Sequence, residues 1–244
     1  MTSMKIIINE FIKEVKQIDE ELEFTIKGYL IQKRSYHYHV LNRKQVGITK
    51  KPDIIKQLCR KRYLLIRRAQ LLTNINATSP EELDTRTPQE LIASLPKAYR
   101  TVPASYFYHP SIEEWLTKPW RKNELYPESA IYEHNDINFR AMAERIIAEQ
   151  LDKYGLLYRY DPVYNLGNEQ LSPDFLVKNP WNAKTVIWEH FGLLNSDKYA
   201  KSMNRKMGIY IELGYTQSEN LIATYQYHIE KIERIQELIE QIIL

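Results

Sequence analysis

"LSPDFLVKNPWNAKTVIWEHFG", Leu171 to Gly192, puts Asp174 in one apolar run and Glu189 in a second, with a polar turn holding Pro180 and Asn182 between them. A buried carboxylate is costly unless it is paired or holds a cation. Side chains alternate between the faces of a strand, so the two acids meet only if neighbouring strands bring them together. The stretch therefore predicts two adjacent strands whose ends share an acidic site.

Outward from it, the pattern predicts the order αβββαβ, followed by a last helix. "NFRAMAERIIAEQLDKYG" (138–155) reads as a helix closed by Gly155, with Phe139, Ala143, Ile146, Ile147 and Gln150 on one face. "LLYRYDPVYNL", "LSPDFLV" and "KTVIWEHFG" read as three strands. "SDKYAKSMNRKMGIYIELG" is a helix with Ser196 as N-cap and Gly214 as its stop, and "NLIATY" is a fourth strand. Ile232, Ile235, Ile239 and Ile242 mark the final helix.

The N-terminal half differs. Met4, Ile8, Phe11, Val15, Ile18 and Leu22 form a helical stripe, and "TIKGYLIQKRSYHYHVLN" alternates as a hairpin or meander does. "KPDIIKQLCRKRYLLIRRAQLL" reads as a helix burying Ile54, Ile55, Leu58, Leu65 and Leu72. Residues 1–85 are expected to be a basic helix–hairpin–helix region, 86–130 a proline-rich connecting segment, and 131–244 the core.

Charge follows this division. Residues 1–130 carry 22 Lys/Arg and 15 Asp/Glu, while 131–244 carry 12 and 16. Within 27–68 there are 13 basic residues and one acid, Asp53, with Tyr29, Tyr36, Tyr38 and Tyr63 interleaved. This points to a polyanion-binding region, with Lys33, Arg34, Arg60, Lys61, Arg67 and Arg68 as the expected nucleic-acid contacts. The single cysteine, Cys59, excludes an intrachain disulfide and a Cys-based zinc cluster. No apolar run has transmembrane length and the N-terminus does not read as a signal peptide, so a cytoplasmic location without a membrane partner is expected.

Two carboxylates at strand ends suit Mg²⁺ or Mn²⁺, ions that polarise a phosphoryl oxygen and generate hydroxide. At this point the order αβββαβ, Pro173-Asp174 and Glu189 resemble the PD-(D/E)XK nuclease superfamily. "WEHFG", "KYAKSMNRKMGIYIELGY" and "ENLIAT" look like a bacterial branch of it, with a W-E-H-x-G motif. "KGYLIQKRSYHYHV" and "IKQLCRKRYL" resemble the basic region preceding such domains. The resemblance implies an α/β fold, a restriction-endonuclease-like core with a mixed central sheet behind a small basic α+β region. It implies a Mg²⁺-dependent DNA endonuclease or exonuclease, with other nucleic-acid-processing proteins or a second copy of the chain as further partners. The alternative is an inactive nucleic-acid-binding protein on a degenerate nuclease fold, and a third class is a scaffold.

The superfamily's lysine, two residues after the glutamate, is replaced by Phe191. The next helix offers Lys206 within a stripe of Tyr199, Met203, Tyr210 and Leu213. His190 is the other candidate, although alternation turns it to the face opposite Glu189. Tyr199, Tyr210 and Trp188 read as core. Glu144 and Glu149 both border the apolar face of the first helix of the core. The likeness of "AERIIA" to the family's first motif selects Glu144, which with Asp174 and Glu189 completes the implied metal set.

Overall fold

The computed structural model describes residues 2–125, 129–167, 169–192, 197–217 and 219–242. The chain forms two compact units, residues 1–109 and 110–244. Residues 86–109, read from the sequence as connection, thus fold with the first unit, and 110–130 with the second. Among the described residues no helix is long and apolar enough to cross a membrane.

The first unit opens with helix α1 (Thr2–Glu23), followed by strands β1 (Tyr29–Lys33), β2 (Tyr36–Leu41) and β3 (Lys44–Gly47) and helix α2 (Pro52–Ile75). Phe11, Val15, Ile18 and Leu22 of α1 pack on Leu64 and Leu71 of α2. The face that α2 buries differs from the expected one. It includes Ile55 and Leu58 but also Cys59, Arg60, Tyr63, Leu64, Arg67 and Leu71, while Leu65 is exposed. The reason is electrostatic. Arg60 forms a two-pronged pair with Glu21 at 2.8 and 2.7 Å, and Arg67 pairs with Glu14 at 2.8 and 3.0 Å. Arginines and acids are each seven residues apart, so antiparallel helices bring both pairs into register, and these buried guanidiniums are satisfied rather than solvated. Helices α3 (Pro88–Ala93) and α4 (Lys97–Arg100) complete the unit. Gln70 donates to the carbonyls of Asp84 and Arg86, which ties the chain before α3 to α2.

The three strands form an antiparallel meander in the order β1-β2-β3. Its β2–β3 turn holds Asn42 and Arg43 at φ 49° and 65°, the left-handed pair that a two-residue type I′ hairpin requires. Cross-strand partners share a face, so Tyr29, Lys33, Tyr36 and Tyr38 lie on one side and Leu30, Gln32, His37 and His39 on the other. The second side meets the α4 region: the Leu30 amide donates to the Tyr99 hydroxyl at 3.0 Å, and His37 and Gln32 contact the Thr101 hydroxyl.

The second unit begins with α5 (Ser111–Thr117) and a hairpin of β4 (Tyr132–His134) and β5 (Ile137–Phe139), then α6 (Met142–Lys153). The expected helix over 138–155 therefore starts four residues late, because Asn135 and Asp136 adopt φ 48° and 61° and turn β5 back onto β4. The strands β6 (Leu157–Tyr160), β7 (Tyr164–Leu166), β8 (Glu169–Leu171), β9 (Phe175–Lys178) and β10 (Thr185–Phe191) follow. Two of the three expected strands are thus interrupted, the first at Asp161 (φ 49°) and the second around Pro173-Asp174. Helix α7 (Asp197–Glu212), strand β11 (Leu221–Tyr225) and helices α8 (Gln226–Ile229) and α9 (Ile232–Ile242) end the chain. Gly214, at φ 84°, follows α7 as expected. The proposed cap Ser196 lies outside the described residues.

The main sheet has the order β11-β10-β9-β6, with β10 and β11 parallel and the other pairs antiparallel. This is a mixed sheet in an α/β fold. One face, through Phe175, Val177, Val186, Trp188 and Ile222, packs on α6 and α9, where Ile147, Leu151, Ile235 and Ile239 are fully buried. The other face, through Leu176, Ile187 and Leu221, receives Tyr210 of α7. Helix α7 is the crossover that a parallel β10–β11 pair demands.

Candidate active site

The β9–β10 register aligns the two acids. Phe175 pairs with Trp188, and one further antiparallel step brings Asp174 opposite Glu189. Asp174 is fixed there by the His190 backbone N–H, which donates to its Oδ2 at 2.6 Å. Glu189 is 1% exposed, yet both its oxygens have partners. Lys206 Nζ lies 2.7 Å from Oε1 and 2.8 Å from Oε2, and the Tyr210 hydroxyl donates to Oε1 at 2.6 Å. Lys206 also donates to the Ser172 carbonyl at 2.7 Å. Lys206 and Tyr210, four residues apart on α7, thus reach the same carboxylate from one helix face. Burial, and after it the Asp174 charge, pushes the Glu189 carboxyl up to about 7 against the pull of Lys206 and Tyr210. Burial and the Glu189 charge likewise raise the Tyr210 phenol.

The other predicted residues fall as follows. Phe191 is buried, and its ring packs near Tyr225. His190 is 9% exposed, and its Nδ1 lies 3.2 Å from the Thr224 hydroxyl, which also receives the Trp188 indole N–H at 3.0 Å. Burial lowers the His190 pKa. Burial, and after it the nearby Asp174 charge, raises the pKa of Glu144. Its Oε2, however, accepts from the Arg140 and Ala141 amides at 3.0 Å and from the Tyr160 hydroxyl at 2.8 Å. Glu149 instead pairs with Arg145. Tyr199's side chain lies outside the described set, and Leu213 is exposed beyond the end of α7.

Asp174, Glu189, Glu144, His190, Phe191, Met203 and Lys206 all line one cleft of about 530 Å³. Arg140 lines it too and pairs with the buried Asp161 at 3.1 Å. The donor set suits a hard divalent cation: Asp174 and Glu189 offer oxygens on neighbouring strand ends, and their mutual repulsion is what such an ion relieves. Mg²⁺ commonly takes only one or two protein carboxylates beside water and phosphate oxygens. Among the described residues, no group of three or more His, Cys, Asp or Glu side chains could hold an ion. Glu144 lines the same cleft, with its Oε2 engaged at the start of α6.

Of the expected basic contacts, Arg60 and Arg67 need correction. Arg60 and Arg67 are buried in ion pairs, Arg68 is held by Asp19 at 2.5 Å, and Lys61 donates to the Ile26 and Gly28 carbonyls at 2.9 and 3.4 Å. Arg60 and Arg67 are thereby turned inward within the first unit, whereas Arg68 stays partly exposed beside Asp19 and Lys61 is half-buried. Lys33 and Arg34 remain exposed on the meander.

Tyr210 is core as read, but its hydrogen bond to Glu189 escaped the sequence reading, although its spacing from Lys206 was the available signal. Tyr160 and Arg140 had none, since their roles depend on the turn at Asp161. Compared with known protein families, curated proteins and solved structures, the chain finds no match.

Proposed function

We propose that the second unit is a metal-dependent phosphodiesterase of the PD-(D/E)XK type, on a restriction-endonuclease-like core, that hydrolyses DNA. The observation that carries this reading is the Lys206 ammonium within 2.8 Å of both Glu189 oxygens, on an acid aligned with Asp174. A lysine delivered from α7 supplies the charge that Phe191 cannot. Asp174 and Glu189 would hold Mg²⁺ or Mn²⁺, which when bound acidifies a water and neutralises phosphate charge. Lys206 orients the attacking water and opposes the charge that develops on the phosphoryl oxygens. Tyr210 keeps Glu189 aimed, and the His190 amide does the same for Asp174. The water oxygen bonds to phosphorus as the bond to the leaving sugar oxygen breaks; the water gives up a proton to solvent, and the leaving oxygen takes one from solvent to become the alcohol.

A second reading, a nucleic-acid-binding protein without activity, is favoured by one observation: Lys206 and Tyr210 already occupy both Glu189 oxygens. Plasmid and single-stranded DNA incubated with Mg²⁺ or Mn²⁺, beside a chelated control, separates the two. Metal-dependent cleavage supports the phosphodiesterase. Binding without cleavage supports the second reading.

A further inference from the structure

We propose that the meander of the first unit is a binding face for single-stranded DNA, with bases stacking on Tyr29 and Tyr36 and phosphates meeting Lys33, Arg34, Arg43 and Lys44. The inference concerns binding alone and holds whether or not the cleft of the second unit cuts.

Tyr29 and Tyr36 share a face with Tyr38 and Lys33, and the two outer rings are 56% and 58% exposed. Val40, on the same face, is buried, whereas Tyr29 and Tyr36 are open to solvent. Lys33 Nζ lies 5.8 Å from the centre of the Tyr38 ring and donates to Gln45 Oε1 at 2.6 Å, which holds one cation beside the aromatic row. Tyr36 and Tyr38, two residues apart, are separated by about 7 Å along the strand.

Charge complementarity selects the partner. Residues 27–52 hold seven Lys/Arg and no Asp or Glu. Among the described residues none of the seven is in an ion pair, in contrast to Arg60, Arg67 and Arg68, which the acids of α1 neutralise. Both hairpin turns also carry arginine at a left-handed position, Arg34 at φ 55° and Arg43 at φ 65°. Glycine or asparagine would be easier there, so the turns keep cationic tips against backbone preference. A polyanion whose bases are free to stack on exposed rings satisfies both features. Duplex DNA offers the phosphates but keeps its base faces inside the stack.

The test is fluorescence anisotropy of a labelled oligothymidylate with the full chain in chelator, so that no cleavage contributes. Competitors are the matching duplex and an abasic oligomer with the same backbone. The expected result is tighter binding of the single strand than of either competitor. Replacing Tyr29 and Tyr36 together by alanine should weaken binding about tenfold or more, whereas Tyr29→Phe with Tyr36→Phe should keep it, all with unchanged thermal melts. Glutamine at Lys33, Arg34, Arg43 and Lys44 should flatten the salt dependence by about 3 in log–log slope. Equal binding of the abasic oligomer, preference for duplex, or wild-type affinity in the double alanine variant would overturn the proposal.

Discussion

In the proposed reaction, Lys206 is the residue on which the chemistry turns. A cation whose partners are a buried carboxylate and a carbonyl is held in place, unlike a surface lysine whose head moves in water. Lys206→Ala should slow DNA cleavage about a hundredfold, while Lys201→Ala, exposed on the same helix, should leave the rate unchanged. Equal rates in the two variants would return Lys206 to a structural role. Glu189 offers a second check, through pH. Its carboxyl is pushed up to about 7 from an ordinary value of 4.5, so between these values the folded protein keeps a proton that the unfolded chain has released. Stability without metal should therefore fall as pH rises from 4.5 to 7, and added Mg²⁺, which favours the ionised form, should offset the loss. Thermal melts of wild type and Glu189→Gln across that range measure it. A slope that survives in Glu189→Gln would assign it to another group.

At the scale of elements, helices α1 and α2 show where reading the sequence succeeds and where it stops. The stripe Phe11, Val15, Ile18 and Leu22 was legible because apolar spacing reports a buried face directly. The buried face of α2 was not, because Arg60 and Arg67 look like solvated charge until the acids seven residues apart on α1 are set beside them. Counting charges within one window cannot see compensation from another. The same holds in the second unit. The strand carrying Glu189 and the helix carrying Lys206 were legible from periodicity, and the pairing of Asp174 with Glu189 followed from strand adjacency. The hydrogen bonds that hold Glu144 were not, since they depend on the Tyr160 hydroxyl and the chain entering α6. The ion pairs give a direct prediction. Arg67→Gln leaves Glu14 without its partner in a mostly buried place and should cost about 3 kcal/mol of stability, and exchanging the two residues (Glu14→Arg with Arg67→Glu) should recover much of it. Urea unfolding measures both. An undiminished midpoint in Arg67→Gln would mean that the helix pair is held by its apolar seam alone.

For the whole molecule, the charge divides as the fold does. Residues 1–109 carry 19 Lys/Arg against 11 Asp/Glu, whereas 110–244 carry 15 against 20. A unit with acids in its cleft and a net negative charge repels a phosphate backbone, so under the proposed function retention of the nucleic acid falls to the first unit and the reaction to the second. Binding and cleavage should then separate under mutation. The most direct measurement follows metal-dependent plasmid cleavage and single-strand affinity side by side in wild type, Asp174→Ala and Glu189→Ala. Both variants are expected to lose cleavage while affinity in chelator stays within about twofold of wild type, because neither acid contributes to phosphate binding by the meander. Cleavage at the wild-type rate in both variants would contradict the proposed function.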